Sequence, residues 1–328
     1  MIRWLLALLF VLFAAPTASA QTWTAAPPKA EIVLPSVPPD WTTVPGTWVR
    51  VHGPDDDIAL LLRVARAASD SLPALADRLE VPVGGTIHIY VAPTDEMFRS
   101  LQPGAPPLWA DATAWPRHGT VFLRSPAARD GDAAPLEQVL DHELVHVLLG
   151  RAFAPETPPH WLQEGAAQLL AGEMGPDVTR KLSAASLTGS LVYLEALEHR
   201  FPKDPVRADL AYAESADFVS WLEATYGPDT LPELVDASAR GDSMRQAVYG
   251  ATGQFLEDIE ADWQGRLAGP AFKFASVAQG EWAWGIAAVA LVGAAVSRRR
   301  RFHRRLAEME AEEAMLDSVM AGFRVSAR

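Results

Sequence analysis

The sequence predicts an α+β domain followed by one C-terminal transmembrane helix. Three observations carry this. Between Thr47 and Leu123, short β-branched runs alternate with a stretch of helical apolar spacing. After Pro135 nearly every segment has helical spacing, so a mixed half precedes a helical half. From Trp282 to Ser297 the chain is apolar without a charge and then meets a block of arginines.

In chain order, Met1–Ala20 has the pattern of a secretory signal peptide. Arg3 supplies the positive start, Trp4–Ala15 the apolar run, and Ala18-Ser19-Ala20 the small residues for cleavage before Gln21. Residues 21–46 are proline-rich and read as an extended linker. The folded domain is expected over 47–270. Trp48–Val51 reads as a strand and His52-Gly53-Pro54-Asp55 as a turn. Ile58–Leu79 reads as a helix on the spacing of Leu61, Leu62, Val64, Ala65, Ala68, Leu72 and Leu75. Ile87–Val91 is a strand of branched residues, and Thr94 caps a short helix through Leu101. Thr120-Val121-Phe122-Leu123 is another strand. Pro135 opens a helix expected to run to about Leu149 and stop at Gly150.

The apolar run Trp282–Ser297 is only ~24 Å of helix, short of the ~30 Å hydrocarbon core. Extending it back to Val277 closes the gap, so residues 277–297 are expected to span a membrane. Arg298–Arg301 with Arg304 and Arg305 would then face the cytoplasm. Residues 298–328 read as a basic and amphipathic cytoplasmic tail, suited to the inner surface or to an unknown partner. These ends together place the domain on the extracytoplasmic, periplasmic side of an inner membrane.

The formal charge is −13, unevenly spread. The two ends hold 9 of the 28 basic residues and 5 of the 41 acidic ones, so the middle, with 19 basic and 36 acidic, carries −17. An acidic middle argues against nucleic acid as a partner. The chain has no cysteine, which excludes disulfides, thiolate metal sites and cysteine nucleophiles.

The helix after Pro135 contains Asp141-His142-Glu143-Leu144-Val145-His146, an H-E-x-x-H motif. His142 and His146 are four apart and project from one face, where two imidazoles can share one Zn²⁺. Glu143 points about 100° away, placed to act as a general base on water rather than as a ligand. The flanking Leu140, Leu144, Val145, Val147 and Leu148 bury the helix, and charged groups in a buried helix need a reason. A catalytic zinc takes a third protein ligand. The metzincin pattern needs a glycine and a third histidine where Leu149 and Ala152 stand, and is excluded. The gluzincin pattern takes a glutamate from a following helix. Pro158-Pro159-His160-Trp161-Leu162-Gln163-Glu164-Gly165 offers Glu164, 18 residues after His146.

With its H-E-x-x-H, the P-x-W-L-x-E-G of Pro159–Gly165, Tyr212-Ala213-Glu214-Ser215 with Phe218 and Leu222, and Gly253-Gln254-Phe255 with Trp263, the chain resembles the peptidase MA-like gluzincins over roughly Trp48–Leu267. The resemblance implies a thermolysin-like domain, a small mixed sheet plus a helical half. It also implies His142, His146 and Glu164 as zinc ligands, Glu143 as base, and Tyr212 as a donor to the oxyanion. Lysine-glycine follows this tyrosine in the aminopeptidase branch; Glu214-Ser215 stand there here. Gln168, four after Glu164, occupies the place of an aspartate that orients a ligand histidine. Asp141 is a second candidate for supporting the histidines. The family's cleft-edge strand, which pairs with extended substrate, maps to Thr120–Leu123. The resemblance therefore implies a zinc peptidase acting on a peptide or protein, which the apolar run before the arginines is expected to anchor in the membrane. Absence of the aminopeptidase G-A-M-E-N motif tilts it toward endopeptidase. The alternative is a tethered binding or scaffolding module that keeps a zinc site with little turnover.

Overall fold

The computed structural model describes residue 34 and residues 36–104, 106–107, 110–129, 134–270, 272 and 289–302. Among the described residues, five strands form one mixed sheet: β1 (Trp41–Pro45), β2 (Val49–Pro54), β3 (Ile87–Ala92), β4 (Ala112–Trp115) and β5 (Thr120–Arg124), in the order β1-β2-β3-β5-β4. The inner pairs β2–β3 and β3–β5 are parallel, and the outer pairs β1–β2 and β4–β5 are antiparallel. Alternation sets the two faces of the sheet. Val49, Val51, Ile87, Ile89, Val121 and Leu123 join the main core, while Tyr90 and Phe122 join a smaller cluster with Trp41 and Phe98.

Helices make up much of the rest of the described residues. α1 (Ile58–Leu79) keeps the bounds its spacing predicts and buries Leu61, Val64, Ala68, Leu72 and Leu79. Glu80 ends it in the left-handed conformation, with φ 53°. The short α2 (Asp95–Ser100) is capped by Thr94, whose Oγ1 accepts from the Met97 amide. α3 (Leu136–Ala152) is buried on nearly every side, as befits a central helix. α4 (His160–Leu170), α5 (Pro176–Thr188), α6 (Pro205–Tyr226), α7 (Thr230–Ala239), α8 (Met244–Thr252) and α9 (Leu256–Ala268) follow. Trp161 of α4, Phe218 of α6 and Trp263 of α9 form an edge-to-face chain, with centroids 5.4 and 5.5 Å apart. Such pairs lock helices together beyond simple burial.

The structure corrects several expectations. The segment expected to be a linker supplies β1, because Trp41 and Val44 are buried and pair along β2. His52-Gly53-Pro54 is the end of β2 rather than a turn. Gly150 does not end α3. It sits inside the helix against the Pro116 ring, where there is no room for a side chain. The expected membrane-spanning helix is overturned: among the described residues no helix is long and apolar enough to cross a membrane. Of the expected span 277–297, residues 289–297 are described, in a helix that continues into Arg298–Phe302. The expected signal peptide, residues 277–288 and the tail beyond Phe302 lie outside the described residues.

Candidate metal centre and active site

α3 contributes His142, Glu143 and His146 to a cleft of about 500 Å³, and α4 contributes Glu164. One turn of helix separates the two imidazoles, which meet edge to face with centroids 4.8 Å apart. Their Nε2 atoms lie 3.1 Å apart, and Oε2 of Glu164 lies 3.5 Å from the first and 3.6 Å from the second. A triangle with those edges has a point about 2 Å from every corner, the length of a zinc–nitrogen or zinc–oxygen bond. The donor set of two imidazoles and one carboxylate suits zinc. The three residues therefore fit a single metal ion, and they form the one such cluster among the described residues.

Close packing brings Glu164 to this point. A Cβ on Gly165 would stand 2.3 Å from the Ser215 carbonyl oxygen, so only glycine lets α4 lie this close to α6.

The electrostatics follow from burial and from crowding of acids. Burial acts to raise the Glu164 carboxyl, but the charge of His146 and hydrogen bonds from both imidazoles hold it well below the usual carboxylate range. Burial lifts the Glu143 carboxyl above its ordinary value against the pull of His146 and His142. For His142, burial opposes the charged form. Hydrogen bonds to Glu164 and Glu173, with the charge of Glu143, outweigh it and raise the imidazole. The pocket thus carries a negative potential that favours a cation.

The walls are unlike each other. Ala112, Thr113 and Ala114 of β4 line one side, and Tyr212 and Asp209 of α6 line the other. The Tyr212 ring stands edge-on to Phe201 at 4.9 Å. Burial and the charges of Glu164 and Glu143 raise its phenol, which keeps the proton and remains a donor.

Three sequence expectations are relocated. Gln168 reaches the cleft, but its Nε2 donates to the Tyr212 carbonyl at 3.1 Å, away from the histidines. The acceptor at His142 Nδ1 is Glu173, at 3.0 Å. Asp141 does not line the cleft and faces Ser71 of α1, where burial raises its carboxyl. Thr120–Leu123 is no edge: β5 has β3 on one side and β4 on the other, and all its residues are buried. The marginal strand beside the cleft is β4. Its four residues follow a proline-rich stretch and are too few to show a period in the sequence. Glu173, likewise, had no motif to betray it.

Fold and site together define a metallopeptidase-like domain. The profile of the Peptidase MA superfamily matches residues 67–269, and the chain belongs to that superfamily. No curated protein matches. Among solved structures, yeast LTA4 hydrolase in complex with bestatin is similar, with 16% identity and a TM-score of 0.41 over 70% of this chain. The chain spans 39% of the length of that structure.

Proposed function

We propose that this protein is a zinc-dependent peptidase that hydrolyses internal peptide bonds. The observation that carries the reading is the convergence of His142, His146 and Glu164 within coordination distance of one point, inside a cleft that also holds Glu143 and Tyr212. Zinc held there would supply Lewis acidity toward water and a peptide carbonyl. Glu143 is the general base. Its carboxyl, buried and raised above its ordinary value, suits a group that takes a proton and returns it to the leaving amine. Tyr212 offers a protonated phenol to the oxygen on which negative charge develops. β4 ends the sheet beside the cleft, and its outer backbone edge supports docking of an extended peptide by strand addition. That edge and the absent G-A-M-E-N motif favour endopeptidase action. The Met1–Ala20 pattern supports work outside the cytoplasm; a mature N-terminus at Gln21, read by mass spectrometry, tests it.

The decisive experiment is metal analysis of the purified chain, followed by digestion of a peptide library. One zinc per chain, internal cleavage products, and loss of cleavage with zinc retained in Glu143→Gln are expected. A zinc-loaded wild type that cuts no peptide overturns the reading.

A further inference from the structure

We infer that Glu173 is the positioning residue for His142, orienting it toward the metal from outside the motif that holds the ligands. The inference rests on the zinc reading above. To present Nε2 to the shared point, His142 must carry its proton on Nδ1, and that N–H needs an acceptor. Oε1 of Glu173 stands 3.0 Å away. The side chain one helical turn beyond Glu164, where an orienting group would be sought, is Gln168, and its amide is committed to the Tyr212 carbonyl.

The acceptor comes instead from the turn that closes α4. There Gly172 has φ +71°, a conformation that side chains rarely adopt, and the Glu173 amide donates back to the Gln168 carbonyl at 2.8 Å. This reversal returns the Glu173 side chain toward α3. The imidazole is its one ion-pair partner among the described residues, so its charge is directed at that ring. His146 is supported differently: its Nδ1 is buried and has no hydrogen-bond partner among the described residues. Among the described residues, Glu173 is therefore the one carboxylate hydrogen-bonded to an Nδ1 of the pair. A full carboxylate there also raises the donor strength of the imidazole more than an amide does.

The test compares the purified wild type with Glu173→Gln and Glu173→Ala. Zinc affinity is measured by competition with a chromogenic chelator. The His142 Nδ1–H is followed by long-range ¹⁵N correlation in the zinc-loaded proteins. Glu173→Gln keeps the shape and removes the charge, which guards against a simple folding failure. The expected result is zinc affinity lower by about 10–100-fold in Glu173→Ala, a smaller loss in Glu173→Gln, and loss of the protected Nδ1–H signal in Glu173→Ala. Zinc affinity within twofold of wild type in both variants overturns the inference while leaving the peptidase reading standing. A wild type that binds no zinc removes both.

Discussion

The α-carbon hydrogen side of Gly165 faces the carbonyl oxygen of Ser215, at a separation that leaves no room for a methyl group: an added Cβ would lie 2.3 Å from that oxygen and 2.6 Å from Cγ2 of Val219. The obstacle is backbone, which a side-chain rotation cannot relieve. Gly165→Ala should therefore push α4 from α6 and lower stability by about 1–3 kcal/mol. Urea unfolding checks this, and a midpoint unchanged from wild type would show that the helices separate freely.

Tyr212→Phe keeps the ring against Phe201 and removes only the hydroxyl. If the hydroxyl donates to the developing oxyanion, kcat should fall by about 10²–10³ with little change in KM. Steady-state kinetics on a peptide substrate decides, and an unchanged kcat would leave Tyr212 a packing residue.

Removing metal should destabilise the fold. An ion bound by the native site and not by the unfolded chain adds about 2.7 kcal/mol at one hundred times its Kd. Chelation should thus lower the thermal midpoint, and zinc should restore it. His142→Ala should abolish that response. A chelator-insensitive midpoint in the metal-loaded wild type would contradict it.

Glu214 predicts a pH dependence away from the cleft. Its carboxyl is fully buried, one oxygen accepts from the Val192 amide at 2.9 Å, and burial raises its pKa from 4.5 to about 8. The folded state holds this proton more tightly than the unfolded chain does, so the stability it lends is complete below pH 4.5 and is lost as pH rises toward 8. Glu214→Gln, which keeps an acceptor for Val192, should flatten this loss. Urea midpoints at the acid and alkaline ends of that window compare the two, and equal pH slopes would refute it.

The sequence alone determined what repeats locally. Four-residue spacing within one helix puts His142 and His146 on one face whatever the surroundings, because helical geometry sets it. The same periodicity gave α1 its bounds, and one hydroxyl three residues before an amide gave α2 its cap. Tertiary structure decided what depends on how separate elements meet. It gave the cleft margin to β4 rather than β5, since strand order is not encoded in any one strand. It gave His142 the carboxylate of Glu173 rather than the amide of Gln168, since which side chain arrives depends on the path of a turn and the angle between α3 and α4. Trp41–Pro45, proline-flanked and unremarkable in isolation, became a strand only because β2 offered it a partner. Spacing along a chain is a covalent property; proximity across a fold is the outcome of packing.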